Sequence, residues 1–208
     1  AYLRGLPGMV LMAPVDEAEL REALAFSLEQ RQPCAIRYPR ANVPEAIIPC
    51  PPFNTGRARK LRDGDDASVL AYGVSTTDAL TAADVLAESG IEVAVYAARF
   101  ASPIDAGMVK TVFAAGSPVV TVEDHSIAGG FGSAVLERAQ ELGLASERLL
   151  RLGMPADRFI AHGSRASQMA ECGIDASGIA AAIQRLVEER DALDGQIIRL
   201  AARSVASH

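Results

Sequence analysis

Nothing in this sequence offers a covalent staple. The three cysteines, Cys34, Cys50 and Cys172, are odd in number, far apart and free of any CxxC pairing. They give no basis for a disulfide framework or a zinc knuckle, and they fit a reducing cytoplasm. A basic excess is lacking too: 26 Asp and Glu outweigh 20 Lys and Arg, for a formal charge of −6 and a pI near 5.1. That balance argues against a general affinity for nucleic acid or an anionic membrane, either of which demands a net basic face. No apolar run approaches the roughly 20 residues that span a bilayer, and the N-terminus lacks the basic-then-apolar layout of a signal peptide. There is no internal repeat and no low-complexity tract. An initiator methionine is missing as well; the abrupt opening AYLRGLPGMVLMAP, with a strand expected within about ten residues, suggests a piece of something longer.

What is present is enough apolar material for a core. The chain has 208 residues, 50% of them hydrophobic, a length suited to one large domain or one domain plus a fragment. Short β-branched or apolar runs alternate with segments of helical period, the pattern of an α/β protein with a mostly parallel sheet. Strands are expected at 10–13, 35–38, 68–71, 92–96, 119–123 and 149–152, and helices at 16–29, 76–89, 105–114, 132–142 and 176–190. Asp16 and Asp105 stand where a carboxylate accepts the orphan N–H groups of a helix start. The stretch 41–66 breaks the rhythm with Pro44, Pro49, Pro51 and Pro52 and then a basic cluster, and so reads as a linker. Residues 1–42 form a partial α/β unit before it and 67–190 a complete one after it, with 191–208 a tail.

Five stretches carry candidate chemistry. GGFG at 129–132 lies where a strand meets a helix, a junction that exposes N–H groups and a positive dipole end to an anion. Its spacing matches neither GxGxxG nor GxxxxGK[ST], so tight packing is the competing reading. Beside it, Glu123, Asp124 and His125 offer a base and an orienting carboxylate at a strand's C-terminal edge, or else merely end the strand in water. In RYPRAN, Arg37 and Arg40 flank a stiffening proline. A guanidinium forks onto phosphate or carboxylate, and an arginine leaving a buried strand needs an anionic partner. RDGDD at 62–66 lacks the ligands of a calcium loop and reads as a solvated turn. DRFIAHGSR at 157–165 holds His162 and a candidate N-cap, Ser164, in a structured connection.

Taken in order, YLRGLPGMVLMAPVDEAELREAL, CAIRYPRAN, DGDDASVLAYG, ARFASPID, VVTVEDHSIAGGFGSAVLE and GMPADRFIAHGS with CGIDASGI resemble the C-terminal part of the 1-deoxy-D-xylulose-5-phosphate synthase family, over residues 2 to 188. These are transketolase-type thiamine-diphosphate enzymes. The resemblance implies a three-layer α/β/α C-terminal domain preceded by the end of a pyrimidine-binding domain. It also implies an enzyme that, when whole, joins pyruvate to glyceraldehyde 3-phosphate with loss of CO2, as a cytoplasmic homodimer with thiamine diphosphate and Mg²⁺. Arg40 matches the family arginine that contacts the acceptor phosphate, and Arg37 is the second candidate.

The family's GDG diphosphate motif with its Asn, its activating glutamate and its proton-handling histidines have no match here. The resemblance therefore implies no catalytic, cofactor or metal residue in this chain, and partners in the remaining N-terminal domains. Ser102, where the family commonly has lysine, and His125, more typical of related transketolase subunits, depart from the pattern. A split transketolase or 2-oxo acid dehydrogenase subunit, or a non-catalytic interaction module of the same fold, are the alternatives. A pyrimidine domain cut short would leave strand edges open within residues 1–45.

Overall fold

The computed structural model describes residues 2–40, 42 and 44–205. The chain opens with a 3-10 turn, Tyr2–Gly5, then β1 (Val10–Met12), α1 (Glu17–Glu29) and β2 (Cys34–Ile36). After the proline-rich stretch come β3 (Arg59–Arg62), β4 (Ala67–Tyr72), α2 (Ser75–Ala87), β5 (Val93–Ala97), β6 (Phe100–Ser102) and α3 (Ala106–Ala114). The remainder is β7 (Val119–Ser126), α4 (Phe131–Glu141), β8 (Leu149–Met154), α5 (Arg165–Glu171) and α6 (Ala176–Val205). Among the described residues, no helix is long and apolar enough to cross a membrane.

The larger sheet has the order β3-β5-β4-β7-β8, with β3 antiparallel and the rest parallel. β4 is buried along its whole length, so both faces of it are apolar and the two-residue period sorts its side chains. Val69 and Ala71 face α2, α5 and α6 through Ala79, Leu86, Met169, Ile179 and Ile183. Leu70 and Tyr72 face α3 and α4 through Met108, Val109, Phe131 and Val135. This is the expected three-layer α/β/α arrangement. Burying a Leu or Ile at such positions contributes about 1.5–3 kcal/mol each, which is why these alternating runs specify one register.

Asp16 and Asp105 cap α1 and α3 as expected, accepting from Glu19 N at 2.8 Å and Met108 N at 3.0 Å. Each carboxylate also reaches into the linker stretch: Asp16 accepts from Ile47 N at 2.8 Å and Asp105 from Ala58 N at 2.8 Å. That stretch is thus fastened, and its last part is not linker in form, because Arg59–Arg62 adds an edge strand to the larger sheet. Residues 41 and 43 of it lie outside the described residues. The tail is likewise not a separate element up to Val205, since α6 continues through 191–205 without a break; residues 206–208 lie outside the described residues.

The smaller sheet, β2-β1-β6, joins the N-terminal strands to a strand that follows β5. β1 pairs in parallel with β2 on one side and antiparallel with β6 on the other. Of the strand edges expected to lie open within residues 1–45, that of β1 is closed by Phe100–Ser102, while the outer edge of β2 has no strand beside it among the described residues. Under this sheet Phe26, Phe53 and Phe100 cluster with ring centroids 5.5–6.3 Å apart.

Below that cluster Glu19, fully buried, accepts from Arg99 Nε at 2.9 Å, from Arg59 Nη1 at 3.2 Å and from Val15 N at 3.1 Å. The other guanidinium nitrogens bind linker carbonyls: Arg59 Nη2 to Ile47 and Pro49, Arg99 Nη2 to Pro51. One glutamate from α1 thereby ties two arginines of the larger unit to the linker.

Candidate functional site

β4 sends its connections both ways, through α2 to β5 on one side and, after α3, to β7 on the other. The carboxyl ends of β4 and β7 therefore make a topological switch point, where open α/β sheets leave a crevice. Tyr72 ends β4 and Glu123 lies opposite it on β7.

The anion that the GGFG helix terminus would suit is supplied by the protein itself. Glu123, 2% exposed, accepts from Phe131 N at 2.7 Å and Gly132 N at 2.8 Å, so its carboxylate fills the positive end of α4. Burial pushes its pKa up, and the two backbone bonds offset only part of that rise. The glycines serve this closeness: a Cβ on Gly130 would collide with that carboxylate, and one on Gly132 would lie 2.5 Å from Thr121 Oγ1. Of the two readings of GGFG, the packing one holds, with a carboxylate as part of what is packed. Arg4 adds to the same corner, gripping Glu137 at 2.8 and 2.9 Å and the Gly129 carbonyl at 3.2 Å. Its hydrogen bonds hold the Glu137 carboxyl below its ordinary range.

Asp124 faces a different way. Its side chain, 5% exposed, takes Arg37 from the end of β2 and, at 3.1 Å, Arg165 from the start of α5. Arg37 also donates from Nη2 to the Asp124 carbonyl at 2.7 Å. The anionic partner that a strand-end arginine requires is thus internal, and Arg37 is committed to it. Arg40 is exposed and, among the described residues, has no hydrogen bond or ion pair. It lies on the rim of an apolar hollow of about 270 Å³ with Pro14, Val15, Tyr38 and Val74.

A second cavity, about 450 Å³, lies between β1–β2 and the switch point, with Arg37, Tyr38, Tyr72, Glu123, His125 and Phe131 on its walls. Tyr72 stacks on Phe131 at 5.2 Å and 10°, and burial pushes its phenol pKa upward. His125 is half-buried here, its Nδ1 3.3 Å from the carbonyl of Ser126.

The other two stretches stay structural. In RDGDD, Lys60 pairs with Asp63, Arg62 with Asp84, and Asp66 accepts from Glu92 N at 2.9 Å. Ser164 caps α5 by accepting from Ser167 N at 3.1 Å, and His162 stands exposed beside it. The helix terminus after GGFG holds Glu123, and among the described residues no three His, Cys, Asp or Glu converge.

Two family models match the chain, the transketolase C-terminal domain over residues 56–179 and the transketolase pyrimidine-binding domain over residues 1–45. The chain belongs to the transketolase family. Similar members of the family include three proteins named 1-deoxy-D-xylulose-5-phosphate synthase. That of Magnetococcus marinus is 43% identical over 90% of this chain and 30% of its own length. That of Anaeromyxobacter dehalogenans is 44% identical over 92% of this chain and 31% of its own. That of Thermomicrobium roseum is 46% identical over 86% of this chain and 29% of its own. The chain thus spans about 30% of the length of these relatives. Among solved transketolases, a split-gene transketolase described as an inactive β4 tetramer superposes with a TM-score of 0.80 at 30% identity, covering 89% of this chain and 60% of that one.

Proposed function

We propose that the chain is the C-terminal portion of a 1-deoxy-D-xylulose-5-phosphate synthase, which condenses pyruvate with glyceraldehyde 3-phosphate and releases CO2. Such a transferase supplies isoprenoid precursors, thiamine and pyridoxal phosphate. In this reading residues 1–42 end a pyrimidine-binding unit, 43–66 connect it to a C-terminal unit at 67–190 and lend that unit its edge strand, and the last helix of that unit runs on from 190 through Val205. Thiamine diphosphate and Mg²⁺ are held by parts of the enzyme outside this chain, the assembly is a cytoplasmic homodimer, and the chain alone is inactive.

One observation carries the role given to this chain: of the two arginines in RYPRAN, Arg37 is spent on Asp124 while Arg40 is exposed and unpaired among the described residues. A phosphate dianion needs a donor set that is not already neutralised, and a guanidinium presents five N–H groups in a fork that matches it. Arg40 is therefore the phosphate ligand and Arg37 is not. In the assembled enzyme, Arg40→Ala raises KM for glyceraldehyde 3-phosphate about 10- to 100-fold, the equivalent of the ~1.5–3 kcal/mol of a charged hydrogen bond. KM for glyceraldehyde, which has no phosphate, stays where it was. Equal KM changes for both acceptors would remove Arg40 from the phosphate subsite.

The likeness to a split-gene transketolase chain supports a second reading, a separately encoded C-terminal subunit. Sequencing the gene decides between the two. A reading frame that includes a diphosphate-binding domain upstream favours the synthase, and one that ends upstream at the pyrimidine-binding domain favours the subunit.

A further inference from the structure

We propose that Asp124 is a positioning residue for the acceptor-phosphate subsite: from the switch point of the larger sheet it holds Arg37 and thereby sets where Arg40 stands. The inference rests on Arg40 being the phosphate ligand. Three observations build it. Asp124 occupies the carboxyl end of β7, where an α/β sheet ordinarily leaves room for a ligand, and its side chain is 5% exposed. What fills that position is the Arg37 guanidinium, held at two points: its Nη1 on the carboxylate and its Nη2 on the Asp124 carbonyl at 2.7 Å. The backbone at Arg37 is held as well, its N–H donating to the Met12 carbonyl at 2.8 Å.

Arg40 follows after only Tyr38 and Pro39, so its Cα lies within about 11 Å of the Arg37 Cα even with the chain fully extended. The ring of Pro39 removes one of the backbone torsions between the two Cα atoms, and the segment is short, so a shift at Arg37 carries along it to Arg40. The larger unit thus reaches the substrate without touching it. Arg165, on the second oxygen of Asp124 at 3.1 Å, keeps that carboxylate paired when Arg37 is removed, which makes Arg37→Ala the milder of two variants that break the clamp.

The test is steady-state kinetics on the assembled enzyme containing this chain, with Arg37→Ala, Arg37→Lys, Asp124→Ala, Arg40→Ala and the double variant Arg40→Ala/Asp124→Ala. Acceptors are glyceraldehyde 3-phosphate and glyceraldehyde, and inorganic phosphate serves as a competitor. Losing the clamp raises KM for the phosphorylated acceptor and Ki for phosphate about tenfold, on the scale of a small misplacement of a binding group. KM for glyceraldehyde changes less than about twofold, Arg37→Lys falls between wild type and Arg37→Ala, and Asp124→Ala adds little on top of Arg40→Ala. If both acceptors lose affinity together, or the Asp124 and Arg40 effects multiply independently, Asp124 is a structural residue and the inference fails. If Arg40→Ala raises KM while Arg37→Ala and Asp124→Ala do not, the inference alone fails. If Arg40→Ala itself changes nothing, the phosphate reading falls and this one with it.

Discussion

Glu19 should be the residue whose loss costs this fold most for the smallest change in shape. Glu19→Gln keeps the volume and removes the charge that Arg59 and Arg99 share at 3.2 and 2.9 Å. Both guanidiniums are nearly out of water, at 8% and 2% exposure, so neither recovers its hydration where it stands. Removing one partner from a buried ion pair costs about 3–5 kcal/mol. The lower end applies here, because Arg59 keeps the Ile47 and Pro49 carbonyls, and Arg99 keeps the Pro51 carbonyl and the face of Phe53 at 4.4 Å. A loss of about 3 kcal/mol lowers Tm by about 6–12 °C for a domain of this size, read by far-UV circular dichroism at neutral pH and checked by urea unfolding. A loss below about 1 kcal/mol would mean that the linker carbonyls alone satisfy the arginines, and that the clamp between α1, the linker and the larger sheet has been misread.

Gly130→Ala forces a methyl against the Glu123 carboxylate and to within 2.5 Å of the Ser126 carbonyl; overpacking of this kind costs about 1–3 kcal/mol, and urea unfolding measures it. An unchanged midpoint would show that Glu123 is not held against the start of α4. The Arg4–Glu137 contact carries a pH signature. The Glu137 carboxyl is depressed from 4.5 by Arg4, so its contribution is present above pH 4.5 and is lost as the pH falls through the folded value. The stability gap between wild type and Arg4→Ala is therefore constant near neutrality, within about 1 kcal/mol because the pair is partly exposed, and closes in acid. A gap that widens in acid refutes the pairing.

Much of the larger unit was legible because its parallel strands are short, largely apolar runs. Val69 to Tyr72 and Val119 to Val122 have no polar alternative to burial between helices. β3 was not legible, since Arg59–Arg62 reads as a basic cluster. On an edge Lys60 and Arg62 stay in reach of water, Lys60 over the Tyr96 ring at 5.6 Å and Arg62 paired with Asp84 and Glu92, while the buried Arg59 is matched by Glu19. β6 was hidden by its three-residue length and by the turn before it, where Arg99 takes a left-handed conformation at φ 60° that no local sequence signal announces. At the site, the helix N-terminus after GGFG was visible, but its anion was not: Glu123 is eight residues upstream and reaches it only because β7 and α4 fold back on each other. In RYPRAN the residue types alone do not rank the two arginines; the resemblance put Arg40 first, and the tertiary contact that commits Arg37 to Asp124 was not visible. The sole hint was the acidic pair at the end of β7, which also reads as a strand meeting water. The Glu19 clamp left no trace, because EAEL is an ordinary first turn of a helix and its partners lie 40 and 80 residues away.

The most direct test of the central claim is a reaction assay with carboxyl-labelled pyruvate, glyceraldehyde 3-phosphate, thiamine diphosphate and Mg²⁺. It compares this chain alone with the chain joined to the N-terminal domains of its enzyme. The account predicts acceptor-dependent release of labelled CO2 and formation of 1-deoxy-D-xylulose 5-phosphate from the assembly, and neither from the chain alone. Turnover by the chain alone, or an assembly that takes a ketose phosphate as donor and leaves pyruvate untouched, would contradict it.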